Sequence, residues 1–94
     1  MTIAELRKQI TALREEGFPE VYVVDDVAGK FYAPHEHTYR SVHWIVEGEL
    51  TIIIEGKTET LTSGQRSNVG ANILHEVTIG PQGCLYIVAE DHQL

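Results

Sequence analysis

The chain has 94 residues, 43% of them apolar and 22% charged, and its 14 acidic against 7 basic side chains give a formal charge of −7. That length implies one domain with a modest core, which a closed sheet or a partner subunit would strengthen, so a homodimer is expected. The cations are scattered as Arg7, Lys8, Arg14, Lys30, Arg40, Lys57 and Arg66 without a basic stripe, and no run approaches the roughly 20 apolar residues that span a bilayer, so neither nucleic acid nor membrane is an expected partner.

Residues 1–18 read as an amphipathic helix. Ile3, Leu6, Ile10 and Leu13 recur at helical spacing, Thr2 and Glu5 form a capping box, and Gly17 and Pro19 stop the run. Such a stripe packs on the outside of a sheet. Glu5, Arg7 and Lys8 also break any secretory apolar segment, which makes the cytoplasm the expected compartment.

From Glu20 onward the pattern changes to short β-branched and aromatic runs, giving strands at 21–24, 30–32, 42–46, 50–54, 58–61, 66–69, 74–79 and 85–88. Turn residues sit between them at Glu47-Gly48, Gly56-Lys57, Ser63-Gly64 and Gly80-Pro81-Gln82-Gly83, where hairpins are expected. Ile52, Ile53 and Ile54 are apolar on both faces of their strand, so a cover from the N-terminal helix or a second subunit is expected there. No helical pattern recurs between strands, which excludes parallel βαβ winding. The domain plan is one unit over 1–94, with the helix at 1–18 and an all-β barrel at 20–90.

The chemistry concentrates in histidines. In extended backbone, residues two apart share a face, so His35 and His37 point together while Glu36 points away. His75 is the distant third partner, and a close pair plus a distant imidazole is how a domain assembles a pocket for a borderline transition ion. Ser41 and His43 share a face in the following strand. Cys84 stands alone in a strand segment, which excludes an internal disulfide and favours a small buried hydrophobe. Arg40 and Arg66 read as surface or paired cations, His92 as a solvated tail residue, and Trp44, Tyr32, Tyr39 and Tyr86 as packing or dimer contacts.

Taken together, Pro34-His35-Glu36-His37, Val42 to Val46 and Glu47-Gly48-Glu49 resemble the first motif of the cupin superfamily, and Gly64 to Gly70 followed by His75 resembles its second. The resemblance runs from Gly29 to Ile79 and implies a small double-stranded β-helix barrel, or jelly roll, with one short N-terminal helix. It places His35, His37 and His75 at the three histidine ligand positions. The chain departs from the pattern with Ser41 where a glutamate ligand is usual, Gly70 for a proline, Asn72 for a glycine and Ile79 for an asparagine. His43, two residues beyond Ser41, is the candidate fourth ligand or, failing that, a pocket-lining general base.

Three neutral imidazoles leave a divalent ion its full charge, so such a site attracts anionic or polar small molecules. The donor set suits zinc, nickel, iron, copper, cobalt or manganese without choosing among them. The resemblance implies a metal-dependent enzyme of dioxygenase, isomerase or lyase type; a noncatalytic small-molecule or metal sensor is the alternative.

Overall fold

The computed structural model describes residues 2–92 as one helix and one six-stranded antiparallel sheet: α1 (Ile3–Glu15), β1 (Glu20–Asp26), β2 (Phe31–His35), β3 (Ser41–Ile54), β4 (Lys57–Leu61), β5 (Arg66–Val69) and β6 (His75–Glu90). Thr2 caps α1 by accepting a hydrogen bond from the Glu5 backbone N–H at 3.1 Å, as its position predicts. The helix is shorter than the 1–18 expected from the sequence. Glu16 and Gly17 already turn out of it, and Phe18 closes back through a 3.3 Å hydrogen bond to the Leu13 carbonyl.

Two strands dominate the sheet. β3 runs for 14 residues and β6 for 16, and they pair antiparallel from Ser41 opposite Glu90 to Ile54 opposite His75. Each passes through a stretch where the sequence predicts a hairpin. At Glu47-Gly48 and at Gly80 to Gly83 the chain bends and shifts register instead of reversing. Gly48 shows why glycine serves here: its φ is +90°, and a Cβ on it would collide with the Gly83 carbonyl oxygen of the facing strand. The glycines mark a close crossing of two long strands, and four of the eight expected segments survive as halves of these two while the other four stand as separate strands.

The bends divide the partners. The C-terminal half of β6 pairs with β1, and the N-terminal half of β3 with β5. On the other side of the bends, β2 pairs with the start of β6 and β4 with the end of β3. Ile45, Leu50, Ile52, Leu61, Ile79 and Tyr86 belong to the core cluster enclosed between these halves. Each fully buried aliphatic side chain there contributes about 1.5–3 kcal/mol.

A second core cluster lies outside the first half, where Leu13 and Phe18 meet Val42, Val46, Ile87 and Ala89, with Leu6 and Ile10 packed against them. Thus the helix covers a sheet face, as expected, but Ile3 stays 71% exposed and takes no part in the stripe. Nor does the helix cover the outer face of the isoleucine run, because Ile53 is absent from its contact cluster while Ile52 and Ile54 join the inner core. Arg66 anchors the helix end to β5 by a two-pronged ion pair with Glu16 at 2.8 and 3.0 Å. Among the described residues no helix is long and apolar enough to cross a membrane.

Candidate metal centre and its cleft

Backbone placement brings the predicted triad together. His35 is the last residue of β2 and sits directly opposite His75, the first residue of β6. His37 lies two residues further on, in the loop leading to β3, which is tied down where its carbonyl accepts a 2.6 Å hydrogen bond from the Asn72 N–H. Asn72 itself adopts φ +60°, the left-handed conformation open to glycine and tolerated by asparagine, so its substitution for glycine leaves the turn intact.

The three rings form a triangle, with centroids 4.3 Å apart for His35 and His75 and 4.9 Å for each of the other two pairs. One nitrogen from each lies within 4.8 Å of the others. Two of the rings are held by backbone: His35 Nδ1 is 2.6 Å from the Ala33 carbonyl and His75 Nδ1 is 2.9 Å from the Ile73 carbonyl. A carbonyl can only accept, so each Nδ1 carries the proton and each Nε2 keeps its lone pair. His75 Nε2 and His37 Nδ1 are buried and find no hydrogen-bond partner in the protein. Burial foremost, then the positive charge of neighbouring imidazoles, lowers the His37 pKa; burial, opposed by the Ile73 carbonyl, likewise lowers that of His75. Both effects favour neutral rings, the form that binds metal.

His35 and His37 of the triad line a cleft of about 320 Å³ in the barrel interior. Alternation along the strands sets its walls, with Ser41 and His43 from β3, Tyr22 and Val24 from β1, and Tyr86, Val88 and Glu90 from β6 all facing inward. His43 stands in this wall, outside the group of nitrogens that converge within 4.8 Å. Its Nδ1 and the Ser41 Oγ are both buried without a partner. Burial above all, with the three other imidazoles adding to it, pushes the His43 pKa down to about 4. That holds its ring neutral near pH 7 and makes it a weak proton acceptor there.

Deeper in the barrel, buried Asp26 accepts hydrogen bonds from the hydroxyls of Tyr32 at 2.8 Å and Tyr86 at 2.7 Å. Burial alone would raise its pKa, but these phenols and Lys30 outweigh that cost and hold the carboxyl below its ordinary value. Tyr32 and Tyr86 therefore do more than pack, since their hydroxyls fix a charge beneath the cleft. Tyr39 stacks flat on His37, with ring planes 2° apart and centroids separated by 4.8 Å, and donates to Glu90 at 3.0 Å.

Other assignments divide. Arg40 pairs with Asp91 at 2.9 Å and Arg66 with Glu16, so both are surface pairs. His92, expected to be solvated, instead bonds Glu20 at 2.6 Å because the end of β6 lies against the start of β1. Cys84 is free and buried, and burial followed by the charge of Asp26 raises its pKa to about 11. Glu90 was missed by local sequence reasoning. Its inward position becomes visible only once Tyr86, Val88 and Glu90 are placed on one face of a strand that continues past the conspicuous apolar run.

Solved structures with the same architecture come from varied sources. A cupin-2 domain-containing protein of Shewanella frigidimarina superposes with a TM-score of 0.67 at 20% identity, over 77% of this chain and 69% of its own. KdgF from a Halomonas species gives 0.68 at 17%, over 78% and 68%, and the DMSP lyase DddQ of Ruegeria pomeroyi gives 0.71 at 24%, over 79% and 38%. The chain thus spans about two thirds of the first two and well under half of the third. No family model and no curated protein matches the sequence. The chain has the fold of the cupin superfamily, as its two motifs implied.

Proposed function

We propose that this barrel binds one divalent transition metal through His35, His37 and His75 and presents it to a small polar or anionic molecule in the adjoining cleft. The observation that carries this reading is the convergence of three imidazole nitrogens within 4.8 Å, two of the ring nitrogens being buried with no partner in the protein. Enclosing such atoms without a partner costs free energy that an ion would recover. A bound ion would act as a Lewis acid toward an oxygen of the guest and acidify coordinated water. The protein supplies the rest. Ala33 and Ile73 orient the ligand rings, Ser41 and His43 offer polar atoms to the guest, and Val24, Val77 and Val88 shield its apolar part from water.

Turnover of dioxygenase, isomerase or lyase type is the enzymatic form of this reading, with His43 the candidate base; retention of the guest without chemistry is the noncatalytic form. Product formation over a panel of small acids and diketones separates them. For the metal itself, elemental analysis of purified, zinc-reconstituted protein should give about one equivalent per chain, and His37→Ala should lose most of it. Full occupancy in His37→Ala would remove His37 from the ligand set, and no metal in the unsubstituted protein would overturn the proposal.

A further inference from the structure

Ser41 occupies the position where the first cupin-like motif usually carries a carboxylate, yet the cleft does not lack one. Directly opposite Ser41 in the β3–β6 ladder stands Glu90. Cross-strand partners project to the same face, and Ser41 and Glu90 both line the cleft. Glu90 is also the only carboxylate among the described residues of that lining. Its side chain is held in place rather than free: one oxygen accepts from Tyr39, whose ring lies flat against His37, and the other is 3.5 Å from His92 Nε2.

We infer that Glu90 is the guest-facing carboxylate of this centre, displaced by one strand from the usual position, and that it selects molecules carrying a hydrogen-bond donor next to their metal-binding oxygen. The inference rests on the metal site proposed above. A carboxylate at the wall accepts a hydrogen bond from a hydroxyl and repels a second bare carboxylate. Small α-hydroxy acids meet both demands, since the carboxylate reaches toward the imidazoles and the hydroxyl toward Glu90. Simple monocarboxylates and dicarboxylates do not. Glu90 lies outside the converging imidazole nitrogens and belongs instead to a separate group with Glu20 and His92, so at the imidazole centre its contribution is to recognition of the guest rather than to holding the ion.

The test uses cobalt-loaded protein, whose visible absorption responds when acetate or glycolate enters the coordination sphere. Replacing Glu90 by Gln keeps an acceptor for Tyr39 while removing the charge. Glu90→Gln should bind acetate about fivefold more tightly than the unsubstituted protein, and its preference for glycolate over acetate should fall about tenfold. Glu59→Gln removes the same formal charge from an exposed β4 residue outside the cleft lining and should change neither quantity. An unchanged acetate affinity or an unchanged preference in Glu90→Gln would overturn the inference while cobalt uptake left the metal reading standing. Failure of both proteins to take up cobalt would remove the centre and this inference with it.

Discussion

His43 illustrates how burial converts into a pH dependence. Its folded-state pKa of about 4 lies below the ordinary histidine value near 6.5, so in the interval between them the unfolded chain binds a proton that the folded chain refuses. The stability contribution is complete above pH 6.5 and is lost as the pH falls toward 4. For metal-free protein in chelator, urea unfolding should therefore show His43→Leu losing less stability than the unsubstituted chain between about pH 7 and about pH 4.5, by roughly 2 kcal/mol. Parallel losses would mean that the ring is not held neutral. The site was legible in the sequence to the extent that it depended on spacing: His35 and His37 at the end of an extended run and His75 before the last strand carried enough information to name the triad. The place of Glu90 opposite Ser41 was not legible, because it follows from the register of β3 against β6, a pairing of residues 49 positions apart that no local pattern encodes.

Strand continuity separates what composition can and cannot reveal. Every apolar run expected to be a strand lies within one, apart from single residues at the starts of two of them, Lys30 and Leu74, and Thr2 caps the helix as its residue type requires. Glu47-Gly48 and Gly80-Pro81-Gln82-Gly83 carry turn residues, however, and a hairpin and a bend within a long strand draw on the same ones: both need backbone freedom and little side-chain bulk. What distinguishes them is the facing strand. Two glycines make the difference measurable, since Gly48 combines φ +90° with a blocked Cβ position, whereas Gly56 in the β3–β4 turn has φ +81° and open space around it. Gly56→Ala should cost about 1 kcal/mol from backbone strain alone, and Gly48→Ala at least 2 kcal/mol more because β3 and β6 must separate. Urea midpoints that agree for the two variants would refute the close crossing.

At the scale of the whole molecule, an ion held by the three imidazoles would tie together the end of β2, the loop before β3 and the start of β6. An ion bound there and not by the unfolded chain raises the free energy of unfolding by about 2.7 kcal/mol at one hundred times its dissociation constant. For a domain of this size that corresponds to about 14 °C in Tm, so zinc-loaded protein should melt about that much above chelator-treated protein by circular dichroism, and His75→Ala should lose the difference. A shift that persists in His75→Ala would place the ion elsewhere, for instance at the Glu20, Glu90 and His92 group.

β6 follows all of its ladder partners in sequence, and that order governs how the barrel can be built during synthesis. Among the described residues both β1 and β2 find their ladder partners in β6 alone, and β3 waits for it along most of its length. A nascent polypeptide released only as far as β5 therefore carries β1 and β2 without neighbours and two histidines without their third, and the ribosome must deliver β6 before the sheet can close and the three imidazoles meet.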